Sequence, residues 1–136
     1  MNCKQHTKLS LLFVLLFSFP AVHAMNIDKA LEYYSDSGTL TFNAQTGEAL
    51  WNKKFTAEDG SSRSCTTCHG ENLHKSGKHK KTGKKIEPMA LSVNAERYTK
   101  MKKIKKWFKR NCKWTVGREC TMQEKGDVLK YLSQLK

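Results

Sequence analysis

Beyond residue 24 the sequence has no apolar run long enough to cross a bilayer, no internal repeat and no stretch with the two-residue alternation of a strand. These absences argue against a multi-span membrane protein, a solenoid and a sheet-built domain. Acidic side chains are also scarce, 12 against 25 lysines and arginines, for a formal charge of +13. A field of that sign favours anionic partners. Cysteine is limited to five positions, which makes each of them informative.

What is present begins with a targeting pattern. Lys4 and Lys8 precede an apolar run from Leu9 to Phe19, and Val22-His23-Ala24 offers small residues on either side of one position. Residues 1–24 therefore read as a secretory signal peptide, with residues 25–136 as one exported domain, expected in a bacterial periplasm. Nucleic acid is a poor partner for a chain with that destination. With Lys4 and Lys8 set aside the domain carries about +11, and a chain this short needs a staple or a cofactor to complete its core. Cys3 leaves with the signal peptide. Cys65 and Cys68 form a C-x-x-C pair, and Cys112 and Cys120 remain, which in an oxidising compartment points to a disulfide.

Helical periodicity dominates the rest. Ile27, Ala30, Leu31 and Tyr34 fall on one face after Asn26, a cap, and Ser35-Asp36-Ser37-Gly38 stops that helix. A second helix is expected over Ala44 to Phe55, capped by Asn43, with Leu50, Trp51 and Phe55 inward. Residues 71–85 are polar, rich in lysine and glycine, and read as a solvated loop. From Lys100 to about Asn111 a stripe of Met101, Ile104, Trp107 and Phe108 runs through a helix otherwise filled with lysines. Thr121-Met122-Gln123-Glu124 is a capping box opening the last helix, which offers Val128, Leu129, Tyr131, Leu132 and Leu135 for packing. The fold class is all-α, about four helices with long connections.

The chemistry concentrates in SCTTCHG, residues 64–70. Two cysteines two residues apart on a tight turn can reach both vinyl groups on one edge of a haem, and the next residue, His69, is then placed as the proximal ligand of the iron. Cys65, Cys68 and His69 thus predict one covalently attached haem c. Zinc held by Cys65, Cys68, His74 and His79 is the rival, but the interval from Cys68 to His74 is far shorter than a zinc finger uses. A haem also supplies the core that so short a chain lacks. The order of helix, attachment turn, loops and C-terminal helix matches class I cytochromes c.

The distal side of the iron is contested within PMALSVNAERY, residues 88–98. Met89, a soft thioether after Pro88, is by ligand chemistry the natural choice of an electron carrier. Met101 and Met122 sit at packing and helix-start positions. Asn94 offers an amide oxygen, or else caps a turn or the third helix.

The run from Ile86 to Leu132, IEPMALSVNAERYTKMKKIKKWFKRNCKWTVGRECTMQEKGDVLKYL, together with CTTCH, resembles the sphaeroides haem protein (SHP) family of monohaem cytochromes c. The resemblance implies that Asn94 is the distal ligand of the oxidised iron and lets go on reduction, opening a site to dioxygen or nitric oxide. It also implies that Cys112 and Cys120 form a disulfide near the haem. A hard, neutral amide oxygen suits ferric better than ferrous iron, which is consistent with that behaviour.

Two further expectations concern partners. The lysines of the third helix and of the 75–85 loop should steer an acidic redox partner such as another cytochrome. The functional expectation is electron transfer coupled to reversible binding of a small diatomic. A plain His/Met electron carrier and a haem-dependent peroxide or oxygen reductase are the alternatives.

Overall fold

A computed structural model describes residues 24–135; the signal-peptide reading of residues 1–24 falls almost wholly outside them. The expected four helices are present. They are α1 (Ala24–Tyr34), α2 (Ala44–Asn52), α4 (Met101–Thr115) and α5 (Met122–Ser133), with a single helical turn, α3 (Thr66–His69), at the C-x-x-C-H segment. Helix α1 starts two residues before the Asn26 cap read from the sequence, and ends where the serine and glycine cluster takes up left-handed backbone at Asp36, Ser37 and Gly38.

Local chemistry sets the other ends. Asn43 Oδ1 accepts from Thr46 N at 3.0 Å and caps α2. Thr121 Oγ1 accepts from Glu124 N at 3.1 Å while Glu124 accepts from Thr121 N at 2.8 Å, the reciprocal pair of a capping box. Helix α2 stops at Asn52, short of the expected Phe55, because Phe55 instead pairs with Arg63 in a two-residue antiparallel ladder, β1 (Phe55–Thr56) with β2 (Ser62–Arg63). A second such ladder, β3 (Gly77–Lys78) with β4 (Lys85–Ile86), lies, but for Ile86, inside the segment 71–85 read as a loop. Strands of two residues are too short to show an alternating pattern.

The core is built on α5. Against it α2 packs closest: Gly47 lies on the Asp127 backbone, and Asn43 N donates to the buried Asp127 Oδ1 at 2.8 Å, an oxygen that also accepts from Gln123 Nε2 at 2.9 Å. The Asn43 bond joins two segments far apart in sequence, and with Gln123 it leaves no unpaired buried carboxylate at Asp127. On the other flank Ile27, Ala30 and Tyr34 of α1 meet Ile104 and Leu129, and Tyr34 stands edge-on to Phe108 with ring centroids 5.8 Å apart.

Helix α4 uses Met101, Ile104 and Phe108 for this packing, but Trp107, expected on the same stripe, is 48% exposed. It lies among cations, with Arg110 5.4 Å and Lys106 5.9 Å from its ring. The helix also runs past Asn111 to Thr115, carrying Cys112 to within a Cα–Cα distance of 5.6 Å of Cys120, to which a disulfide joins it.

Candidate haem site

The attachment turn is fixed on both sides. Ser64 N donates to Thr67 Oγ1 at 2.9 Å, the buried Ser64 hydroxyl lies 2.6 Å from that of Thr66, and Cys65 N reaches back to the Trp51 carbonyl of α2 at 3.3 Å. Upstream, Arg63 donates to the Trp114 carbonyl at 3.1 Å and its guanidinium stacks 4.8 Å from the Trp114 ring. The turn is thereby tied to the end of α4.

Cys65 and Cys68 are both free thiols at the two ends of this turn, and His69 closes it. Burial pushes the Cys65 thiol up to about 11, with Cys68 adding to the effect, so it is held protonated. His69 is pulled down to about 4, chiefly by burial and secondly by the charge of Arg97. Its imidazole is therefore neutral near pH 7, the form that ligates a metal. His69 Nδ1 is enclosed without a hydrogen-bond partner among the described residues. Trp51 packs beside the ring, 5.1 Å between centroids.

Around this turn lies an apolar cluster of Trp51, Leu73, Met89, Val128 and Leu132, joined by Cys65, Tyr98 and Phe108. Thiols, a neutral imidazole and an apolar wall are the set that a covalent haem requires, and the residues present fit it. Among the described residues no three His, Cys, Asp or Glu side chains gather as they would around a zinc ion, so Cys65, Cys68, His74 and His79 do not assemble the rival site. His74 is exposed.

The distal candidates are carried by one folded segment. Met89 N and Ala90 N both donate to the Leu73 carbonyl, at 2.9 and 3.1 Å, which binds residues 89–90 directly to the chain leaving the attachment turn. Met89 is buried and its Sδ accepts from Arg97 Nη2 at 2.8 Å. Asn94 is half-buried, and its Nδ2 donates to the Pro88 carbonyl at 3.0 Å. It does not cap α4, whose N-cap is Lys100. Tyr98, in left-handed backbone at φ 57°, donates its hydroxyl to the Met89 carbonyl at 3.0 Å; burial raises its pKa, against a smaller opposing effect of Arg97.

Three of these residues were not singled out from sequence. Arg97 and Tyr98 close the segment 88–98 without a role read from the sequence, and only the fold shows them holding Met89. Gly77 is the third: a Cβ there would meet the Cys68 carbonyl oxygen at 2.1 Å, so the β3 backbone lies against the attachment turn. Glycine in a polar loop gives no hint of such an approach.

Known proteins fit this geometry. A domain family described as a domain of unknown function, DUF1924, matches residues 37–132. The cytochrome c-type protein SHP of Cereibacter sphaeroides is 40% identical over 100 residues, covering 74% of this chain and 77% of that one. Cytochrome c'' of Methylophilus methylotrophus is 32% identical over 127 residues, 88% of each. The structure of oxidised SHP, an oxygen-binding cytochrome c, superposes with a TM-score of 0.70 at 34% identity, covering 78% of this chain and 94% of that chain. Oxidised cytochrome c'' superposes at 0.74 with 28% identity, covering 83% and 97%. A solution structure of cytochrome c'', addressing haem-ligand detachment, does so at 0.70 with 28% identity, covering 82% and 94%. With a haem-binding turn, an all-helical frame and these relatives, the chain belongs to the SHP family of c-type cytochromes, which bind haem c covalently.

Proposed function

We propose that this cytochrome works in the periplasm as an electron carrier that also binds a small diatomic, dioxygen or nitric oxide, reversibly. Cys65 and Cys68 hold the haem through thioethers and His69 is the proximal ligand. Asn94 supplies the distal oxygen to ferric iron and lets go on reduction. Bound haem c supplies a one-electron couple and, when its distal position is open, a site for a diatomic.

The orientation of Asn94 carries this reading. Its Nδ2 donates to the Pro88 carbonyl at 3.0 Å, and a carbonyl can only accept, so the amide is fixed with Oδ1 as its remaining ligand atom. That oxygen is hard, neutral and weak, suited to ferric iron and readily lost from ferrous iron. Met89 has burial in its favour, but its sulfur already accepts from the Arg97 guanidinium. That contact takes one of the two lone pairs of the sulfur, and Met89 is the alternative distal ligand. The relatives support the same reading, since SHP is an oxygen-binding cytochrome c and the cytochrome c'' study concerns detachment of a haem ligand.

Two other features have supporting roles. The exposed lysines 102, 103, 105, 106 and 109 of α4 form a positive face for an acidic redox partner, screened by salt. The Cys112–Cys120 bridge serves as a structural staple between α4 and α5. Among the described residues no helix is long and apolar enough to cross a membrane.

Optical spectra of the holoprotein and of Asn94→Ala test the ligand assignment. The wild-type ferric form is expected to be low-spin and the variant high-spin, with the two ferrous spectra alike. A Met-to-iron band in ferric protein and a low-spin ferrous state would assign Met89 instead.

A further inference from the structure

Arg97 is half-buried, yet among the described residues no carboxylate pairs with it. Its side-chain partners are neutral: Met89 Sδ at 2.8 Å from Nη2, the Glu87 carbonyl at 3.2 Å from Nη1, and the Tyr98 hydroxyl. The Glu87 carboxylate itself turns to Lys85 Nζ at 3.1 Å. A guanidinium taken partly out of water without a counter-charge is costly, and a thioether is a weak acceptor that an anion readily replaces.

The position of this charge matters as much as its state. Arg97 N donates to the Asn94 carbonyl at 3.0 Å, so both residues share one turn. Its guanidinium also reaches Met89 Sδ, so it lies beside the apolar cluster around the attachment turn.

We propose that Arg97 strengthens the binding of anionic small ligands on the distal side of this haem site, beyond the neutral diatomics, its guanidinium donating charge-assisted hydrogen bonds to an anion that takes the place of Asn94. This rests on the reading of Asn94 as a displaceable ligand. A small anion gains the Coulombic attraction and a charged hydrogen bond that a neutral ligand such as carbon monoxide cannot draw on equally.

Azide, an anion, and carbon monoxide, a neutral ligand, separate the effects. Both are titrated optically into holoprotein carrying Asn94→Ala, with azide on the ferric and carbon monoxide on the ferrous form, and then into the same protein with Arg97→Gln or Arg97→Met added. Loss of the charge is expected to weaken azide by about tenfold or more, the size of a charged hydrogen bond, with carbon monoxide affinity changed less than about twofold. Arg97→Lys, which keeps the charge, should retain part of the azide affinity. Equal azide affinity with and without Arg97 overturns the proposal, as does a joint fall in both ligands, the mark of a merely structural role. An unchanged azide affinity with a shifted reduction potential would show Arg97 spent on a haem propionate, and overturns it too. Failure of the underlying reading looks different, because ferrous wild-type protein would then refuse carbon monoxide.

Discussion

Replacing Gly77 by alanine places a methyl group 2.1 Å from the Cys68 carbonyl oxygen and 2.8 Å from the Cα of His69. Ordinary contact begins at 3.4 Å, so β3 and the attachment turn must part by roughly 1.3 Å. Neither obstacle can rotate away, since both are backbone. Overpacking of this kind costs about 1–3 kcal/mol, and the rigidity of the neighbours puts Gly77→Ala near the upper end. For a domain of this size that lowers the melting temperature by roughly 10–20 °C. The displaced atoms belong to the haem-binding turn, so covalent haem content should fall as well. Both are measured on protein matured in a host that attaches haem c, by far-UV circular dichroism on heating and by the haemochrome spectrum after denaturation. Gly83→Ala is the control: φ is +67°, and the nearest atom to a Cβ there is a Lys78 side-chain carbon at 3.5 Å. It costs only the left-handed backbone strain, about 1 kcal/mol, and leaves the attachment turn alone. A Gly77→Ala protein with full haem content that melts no lower than Gly83→Ala would refute the packing argument.

Other consequences are equally direct. Gly47→Ala drives a methyl to 2.0 Å from the Asp127 carbonyl and must separate α2 from α5; a loss of about 2–3 kcal/mol by chemical denaturation is expected. Removing the disulfide with Cys112→Ser and Cys120→Ser opens a loop of sequence separation 8, which under the loop-entropy relation costs about 2–3 kcal/mol, and the bridge itself is checked by mass spectrometry after alkylation without reductant. Hydrogen bonding from Arg118, outweighing burial, holds the Glu124 carboxyl down to about 2 from its ordinary 4.5. Because the folded value is the lower one, its contribution is complete above about pH 4.5 and is lost as pH falls toward 2. Glu124→Gln should flatten that part of the acid-stability curve, which urea titrations across pH would reveal.

The sequence exposes features whose cause is local. The capping box at Thr121 and Glu124, the Asn43 cap and the stop after Tyr34 are all fixed within a few residues, and each stands where the pattern puts it. Cys65, Cys68 and His69 are legible for the same reason, as one short segment carries their whole chemistry. Long-range effects stay hidden. Phe55 leaves the second helix to pair with Arg63, and Trp107 turns outward among cations although its spacing suits the core. Arg97 and Gly77 matter through contacts with Met89 and Cys68 that no periodicity encodes. Between Met89 and Asn94, ligand chemistry alone favours the thioether. The fold adds a hydrogen bond from Arg97 to the Met89 sulfur and one from the Asn94 amide to the Pro88 carbonyl, contacts that the sequence does not show.

The central claim is a haem site that opens on reduction, and carbon monoxide binding to the ferrous wild-type holoprotein tests it most directly. Rapid, saturable carbon monoxide binding with a shift of the Soret band is expected, with the same affinity in Asn94→Ala, because on this reading Asn94 has already let go. A ferrous spectrum that stays low-spin and does not respond to carbon monoxide would contradict it.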